Sequence, residues 1–126
     1  MPHTYVLDTN AVIYYIGAEE KALPKLVLIL QSDNTIILPT IVITELWSGR
    51  QVPDTDIEAI EAFISSLVIT PFDLQTAKSA GTLRRDYGLK IGDACIAATA
   101  LAYNAILLTR NTNDFKRVPN LLIEAI

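Results

Sequence analysis

Residues 4–10 read Thr-Tyr-Val-Leu-Asp-Thr-Asn, and this stretch holds the pattern that decides the fold. Its first four residues, Thr4–Leu7, favour a short β-strand, and Asp-Thr-Asn is a turn and helix-cap signal. The segment Ala11–Ile16 that follows has the pattern of a short helix, which Gly17 ends. A strand that leads through a cap into a helix is typical of α/β proteins.

The same alternation continues along the chain. Further strands are predicted at Ile36–Leu38, Val68–Thr70, Ile106–Thr109 and Leu121–Ile123. Further helices are predicted at Leu23–Gln31, Thr40–Ser48, Thr55–Leu67, from the cap Asp73 to about Tyr87, and from Ala94 to Tyr103 after an opening residue Asp93. We therefore expect an α/β fold in which a central parallel sheet of four to five strands is covered by helices on both faces.

The composition bounds the class of protein. With 126 residues, 51% of them hydrophobic, the chain fits a single domain over residues 1–126 and is not a disordered polymer. It has no apolar run of the roughly 20 residues that a membrane span needs. The N-terminus shows no signal-peptide pattern, so a cytoplasmic location is expected. The single cysteine, Cys95, excludes an intrachain disulfide and is expected to be a buried small hydrophobic residue.

The net charge of −4 argues mildly against binding of nucleic acid by bulk electrostatics. The charge is unevenly distributed, however. Residues 84–117 hold six basic and three acidic residues, which gives +3 for this segment and −7 for the rest. The segment is either an ordinary solvated surface or a local track for backbone phosphates.

Four acidic residues in four separate segments are the candidate functional groups. In a parallel sheet the strand C-termini and the helix N-termini share one edge, and ligands bind outside that edge. Asp8 follows the first strand, and Glu45 lies in the helix after the second. Asp93 opens a helix, and Asp114 follows the fourth strand. The same rule would place Asp73 at this edge, so position across the sheet must separate it from the other four.

Each acid also has a structural interpretation. Asp8 and Asp93 stand at N-cap positions, where a carboxylate satisfies free backbone N–H groups. Asp114 could be a turn residue. Glu45 is the hardest to explain in this way, because the helix around it is almost entirely apolar and a structural role would need a buried partner.

Converging carboxylates predict a metal site. They repel one another and raise one another's pKa unless a cation lies between them. Mg²⁺ or Mn²⁺ suits all-oxygen ligation through one or two carboxylates and waters, and such an ion can activate water and neutralise phosphate charge. Neutral hydrogen-bonding residues stand beside the acids: Thr9, Asn10, Thr109 and Asn111. Arg110 either contacts a phosphate or forms a structural salt bridge.

Other chemistries fit the sequence less well. The chain has one histidine, His3, so a histidine triad or a zinc site is not expected. It lacks a Gly-rich phosphate loop. Aspartate-nucleophile phosphatases carry a second Asp two residues after the first, and this chain has Asn10 there. Receiver-like domains need paired acids early in the chain and a downstream lysine, and neither is obvious.

Four motifs, in order along nearly the whole chain, are similar to those of one known family. They are residues 7–10 (Leu-Asp-Thr-Asn), Thr44-Glu45 with Gly49, Asp93 with residues 96–100 (Ile-Ala-Ala-Thr-Ala), and residues 108–111 (Leu-Thr-Arg-Asn) with Asp114-Phe115. In these motifs the chain resembles PIN-domain ribonucleases of the VapC type, the toxins of bacterial and archaeal toxin–antitoxin pairs. The resemblance implies a PIN-like α/β/α sandwich, a Mg²⁺- or Mn²⁺-dependent endoribonuclease, a homodimer and a cognate antitoxin.

The resemblance also implies roles for individual residues. Asp8, Glu45 and Asp93 match the family's invariant acids, with Asp8 and Asp93 as direct metal ligands and Glu45 as the base or the holder of a metal-bound water. Some relatives carry a fourth acid directly after Thr-Arg, where this chain has Asn111. Either Asp114 supplies that charge or Asn111 acts as a neutral ligand.

Two other functions stay open at this point. The missing acid at position 111 is compatible with a catalytically silent PIN-like interaction module. A housekeeping RNA-processing nuclease would differ from a toxin in having no antitoxin gene beside its own. The apolar segments Leu23–Leu30 and Ile57–Leu67 are candidate surfaces for association, or else they pack only against the core.

Overall fold

The centre of the molecule is a parallel five-stranded sheet. In the computed structural model, which describes residues 2–49 and 56–126, its strands are β1 (Thr4–Leu7), β2 (Thr35–Pro39), β3 (Val68–Thr70), β4 (Ile106–Thr109) and β5 (Leu122–Ala125). The strand order is β3-β2-β1-β4-β5, so β1 is central. The chain builds outward from β1 to β3 and then crosses back to β4 on the other side of β1. The strand order thus reverses between β1 and β4, where α/β sheets bind ligands.

Helices flank this sheet, as the sequence predicts. Those in the described residues are α1 (Thr9–Ile16), α2 (Leu23–Gln31), α3 (Thr40–Ser48), α4 (Ile57–Ile64), α5 (Leu74–Tyr87), α6 (Ile91–Ala102) and α7 (Thr112–Phe115). Helix α6 is buried at every position from Ala94 to Ala100 and packs against β1, β2 and β4. Cys95 is among these buried residues, which confirms its role as a small core residue. Within residues 2–49 and 56–126, no helix combines the length and the apolar character needed to cross a lipid bilayer.

The capping signals in the sequence explain where α1 and α5 begin and end. Asp8 is the N-cap of α1, and its Oδ1 accepts the backbone N–H of Ala11 at 2.8 Å. The predicted start at Ala11 is therefore two residues late, because the cap already holds Thr9 in the helix. Asp73 caps α5 in the same way, and Gly88 ends it in the left-handed region at φ 68°, as predicted.

The prediction that Asp93 opens its helix is wrong. Lys90 is the N-cap of α6, with extended backbone and no side-chain cap, so Asp93 is the third helical residue. The Asp93 carboxylate therefore does not cap α6, and its role must be sought elsewhere in the structure. Helix α6 also ends at Ala102, one residue earlier than predicted.

Other boundaries differ by a few residues. Helix α4 ends at Ile64, because the Ser65 and Ser66 hydroxyls donate to carbonyl groups three residues back and take over from the helical pattern. The predicted start of this helix at Thr55 lies outside the described residues. Strand β2 extends one residue beyond each predicted end, and β5 begins one residue later and ends two later. Helix α7 was not predicted, since it has only four residues.

Candidate active site

A cavity of about 300 Å³ opens where the C-terminal ends of β1 and β4 meet the helices. Its lining comes from the end of β1 and the start of α1, from α3, from the first two turns of α6, and from the turn after β4. The lining residues are Asp8, Thr9, Asn10, Ile13, Glu45, Leu46, Gly49, Asp93, Ile96, Asn111 and Phe115. Three of the four predicted acids therefore face one cavity, with an apolar wall behind them.

Asp8 is the most deeply buried of these acids, with 6% of its surface exposed. Burial raises the pKa of Asp8 above its ordinary value, and the negative charge of Glu45 adds to this. Hydrogen bonds from the Thr109 side chain and the Ala11 backbone lower the same pKa in part. Thr109 is itself fully buried, and its Oγ1 accepts the backbone N–H of Asn111 at 3.0 Å. The predicted supporting residue Thr109 thus joins Asp8 to the turn after β4.

The pKa of the Asp93 carboxyl is raised by the charge of every other candidate acid. Burial is the largest cause that raises the pKa of its carboxyl, followed by the charges of Asp114, Glu45 and Asp8. The nearby ammonium group of Lys90 lowers this pKa only in part. Four carboxylates whose negative potentials overlap make a strongly anionic pocket, which favours a bound cation.

Glu45 projects from α3 toward the same cavity, and both of its oxygens have close neighbours. The Thr9 hydroxyl donates a hydrogen bond to Oε1 at 2.6 Å. Gly92 lies on the other side, where a Cβ atom would come within 2.8 Å of Oε2. From the sequence, a structural role for Glu45 was expected to need a buried partner, and in the structure the part-buried Thr9 hydroxyl, on α1, is its hydrogen-bond partner.

Asn111 and Asp114, the two candidates for the fourth position, contact each other. Asn111 Nδ2 donates to Asp114 Oδ2 at 2.5 Å. Asn111 lines the cavity, and the half-buried Asp114 is the charge that most raises the pKa of Asp93. The two candidate residues are therefore joined by a hydrogen bond and do not stand as independent alternatives. Asn10, another predicted supporting residue, is exposed at the rim of the cavity.

Arg110 points away from the acids. Its Nη2 donates to Glu19 Oε2 at 2.6 Å, its Nε donates to the backbone oxygen of Ile126 at 3.2 Å, and its guanidinium stacks on the Tyr14 ring at 4.1 Å. Of the two predicted roles, the geometry supports the structural salt bridge. Glu19 carried no recognisable signal in the sequence, because it lies in an ordinary polar loop.

The position of Asp73 resolves the ambiguity among the acids. It lines a separate surface cavity together with Ala98, Leu101 and Tyr103, at the C-terminal half of α6. Asp93 lies in the first turn of the same helix, and at about 1.5 Å of rise per residue Leu101 is about 12 Å further along the helix axis. Asp73 therefore caps α5 far from the anionic pocket and takes no part in it.

The donor set fits a hydrated hard cation better than a cage made of protein alone. Within residues 2–49 and 56–126, no three His, Cys, Asp or Glu side chains stand close enough to hold a metal ion by themselves. Asp8, Glu45 and Asp93 nevertheless line one cavity, and the charges of Glu45 and Asp8 raise the pKa of Asp93. Mg²⁺ is usually bound by one or two carboxylates and several waters, so such a site does not need three carboxylates in direct contact with the ion.

Comparison with known proteins gives consistent matches over the full length. A family profile for the PIN domain matches residues 5–121. Ribonuclease VapC2 of Rickettsia felis is 35% identical over an alignment of 128 positions, which covers 95% of this chain and 96% of that protein. Ribonuclease VapC19 of Mycobacterium tuberculosis is 31% identical over 121 residues, which span 92% of this chain and 95% of that protein.

Solved structures show the same likeness. VapBC2 from Rickettsia felis, bound to a DNA fragment from its promoter, superposes with a TM-score of 0.80 at 30% identity and covers 98% of both chains. DNA-bound VapBC from Salmonella typhimurium superposes with a TM-score of 0.79 at 25% identity, covering 99% of this chain and 98% of that one. These matches confirm the predicted PIN-like α/β architecture.

Proposed function

Because the chain belongs to the PIN domain family, we propose that it is an endoribonuclease that cleaves RNA phosphodiester bonds with metal-activated water and acts as the toxin of a toxin–antitoxin pair. The observation that carries the proposal is the convergence of Asp8, Glu45 and Asp93 on one cavity at the strand-order reversal. Full-length similarity to VapC ribonucleases supports the nuclease activity. The oxygen-only donor set supports Mg²⁺ or Mn²⁺ as the cofactor.

Each acid has a distinct role in this proposal. Asp8 and Asp93 would hold the ion, which supplies charge neutralisation and an activated water when it is bound. Glu45, whose Oε1 accepts a hydrogen bond from the Thr9 hydroxyl, would accept a proton from the attacking water. The apolar wall of Ile13, Leu46, Ile96 and Phe115 excludes bulk water and strengthens each of these electrostatic interactions.

The residue proposed to contact an RNA phosphate is Lys90 and not Arg110. That guanidinium is already engaged by Glu19 and Tyr14. Lys90 precedes α6, is exposed, and lies near enough to Asp93 to lower its pKa. We assign Lys90 as the basic residue of the segment 84–117 that meets a backbone phosphate of the RNA.

The fourth position is expected to depend on Asp114. Asp114→Asn removes the charge that most affects Asp93, and we expect cleavage to fall by about tenfold, which is less than the roughly 10²- to 10³-fold loss for a group that contacts the reacting oxygen. Asn111→Asp replaces a donor by a second carboxylate beside Asp114 Oδ2, so its melting temperature without metal should fall through like-charge repulsion. Thermal unfolding and steady-state cleavage of both variants test this. Unchanged activity in Asp114→Asn would leave Asn111 as the fourth residue.

The partner proposal comes from the relatives. The structures of VapBC2 from Rickettsia felis and of a toxin–antitoxin complex from Klebsiella pneumoniae contain such pairs. We propose a cognate antitoxin and a homodimer for this chain as well. Leu28 on α2 is exposed, so the segment Leu23–Leu30 remains a candidate surface for association.

The deciding experiment is cleavage of total RNA by the purified protein in Mg²⁺ buffer, with the fragment ends mapped and Asp8→Asn as the inactive comparison. We expect discrete cleavage sites that appear with wild type and not with the variant. Absence of cleavage by a folded, metal-loaded wild type would favour the silent interaction module. Cleavage without growth arrest on expression, and without an antitoxin gene nearby, would favour a housekeeping nuclease.

A further inference from the structure

The carboxylate of Glu45 is held between two residues that belong to different helices. On one side the Thr9 hydroxyl, in the first turn of α1, donates to Oε1 at 2.6 Å. On the other side Gly92, in the first turn of α6, has no side chain where a Cβ atom would lie 2.8 Å from Oε2 and 3.2 Å from Cδ. Glu45 itself is half-buried on α3, so three helices meet at this one group.

The contact at Gly92 is too close for any other residue to be accommodated without movement. A Cβ atom at 2.8 Å from oxygen overlaps it, so the addition of a methyl group must displace something. The displaced atoms are the flexible end of a glutamate, and no backbone atom lies within that distance. Alanine at position 92 would therefore move the Glu45 carboxylate and leave the helices in place.

Gly81 provides a contrast within the same protein. It lies inside α5, and a Cβ atom there would meet nothing within 4 Å. Alanine favours helix more than glycine does, so Gly81→Ala should be neutral or stabilising. Both substitutions add the same methyl group to a helix, and only the one at position 92 reaches Glu45.

We propose that Thr9 and Gly92 are positioning residues that together set the orientation of the Glu45 carboxylate for the proton transfer in RNA cleavage. This inference rests on the proposed function. Thr9 fixes one oxygen by a hydrogen bond, and Gly92 leaves the space that the other oxygen occupies. Neither residue needs to touch the RNA, and both act through Glu45.

The first test is steady-state cleavage by paired variants. Thr9→Val keeps the shape and removes the hydroxyl, so kcat should fall by about 10- to 100-fold, as expected when a reacting group is misplaced by around 1 Å. KM should change by less than about threefold, because the contact does not bind substrate. Thr9→Ser restores a hydroxyl and should recover most of the loss. Equal activity in Thr9→Val and wild type would overturn the role of Thr9.

Gly92→Ala and Gly81→Ala are compared in the same assay. Gly92→Ala should lower kcat by about tenfold or more through displacement of the carboxylate, with a melting temperature no lower than that of wild type. Gly81→Ala should keep wild-type kcat. Calorimetric titration with Mn²⁺ adds a readout that does not depend on activity, and all four variants should bind Mn²⁺ with wild-type affinity. Wild-type kcat in Gly92→Ala would overturn the role of Gly92.

A thermal double-mutant cycle tests the contact even without turnover. If Thr9 acts through Glu45, the melting-temperature changes of Thr9→Val and Glu45→Ala will not add in the double variant. Simple addition of the two changes would contradict the contact. If wild type cleaves no RNA, the proposed function fails and the positioning role with it; if wild type is active and both Thr9→Val and Gly92→Ala match it, only the present inference fails.

Discussion

Asp93→Asn is expected to abolish detectable RNA cleavage while raising the melting temperature of the metal-free protein at pH 7. The loss should reach roughly 10²- to 10⁴-fold, the range for removal of an acid–base or electrostatic group. The stabilisation follows because the amide adds no charge at a position where Asp114, Glu45 and Asp8 already exert negative charge. Asp8→Asn should behave alike, since asparagine is as good an N-cap as aspartate and preserves the start of α1.

The pH dependence gives the sign of this effect. Folding raises the pKa of Asp93 above its ordinary value of 3.8, so the folded state favours the protonated carboxyl. The contribution of this pKa difference to the free energy of unfolding is fully present below the pKa of the unfolded state. It is lost as the pH rises through the pKa of the folded state. Asp93→Asn has no such group. Its melting temperature should therefore exceed that of wild type at neutral pH, and the two should converge below the ordinary pKa.

Asp73→Asn is the matched control for both measurements. Asp73 caps α5 through the N–H of Thr76 at 2.8 Å, and its pKa is lowered because that backbone group stabilises the carboxylate. Its contribution is present above the unfolded pKa and lost as the pH falls through the folded pKa, the opposite of Asp93. Asp73→Asn should cleave RNA like wild type and should not gain stability at pH 7. Wild-type cleavage by both Asp8→Asn and Asp93→Asn would refute the site.

Removal of divalent metal by EDTA is expected to stop cleavage completely, and Mg²⁺ or Mn²⁺ added in excess should restore it. In the cavity the acids repel one another without a cation, so the ion should also stabilise the fold. At a free concentration 100 times its Kd, a ligand specific for the native state adds about 2.7 kcal/mol to the free energy of unfolding. Thermal unfolding with increasing Mn²⁺ measures this directly.

Two controls separate site binding from general screening. Sodium chloride at matched ionic strength should not reproduce the effect of Mn²⁺, because screening acts on all exposed charges alike. Asp8→Asn and Asp93→Asn should show little Mn²⁺-dependent stabilisation, whereas Asp73→Asn should show as much as wild type. Undiminished cleavage in EDTA would exclude metal-activated water and leave a nuclease of another mechanism.

Local signals made most of the fold predictable. The alternation of short apolar runs with helical patterns predicted all five strands. The predicted helix caps Asp8 and Asp73 and the predicted helix end at Gly88 were each confirmed. Asp93 was misplaced as a cap, because a helix can also begin at an extended residue such as Lys90 that has no side-chain cap. The four-residue α7 gives no period long enough to detect.

The candidate site was predictable in its members and not in its contacts. The edge rule for parallel sheets identified Asp8, Glu45 and Asp93, and strand order was needed to exclude Asp73. The pairing of Thr9 with Glu45 joins residues 36 positions apart, and Arg110 with Glu19 joins residues 91 apart. Contacts between residues so far apart along the chain cannot be predicted from local sequence patterns. For the same reason, Gly92 was not recognised as a neighbour of Glu45.

The parallel pairing of β1 with β4 makes folding depend on a contact between distant parts of the chain. Tyr5 pairs with Ile106, a separation of 106 − 5 = 101 residues, so the central strand gains this neighbour only when a long loop closes. Long-range parallel pairing is slow to form, because the entropy of loop closure is lost before the contact stabilises the sheet. We therefore expect the docking of β4, and with it the turn that carries Asn111 and Asp114, to be a late step in folding.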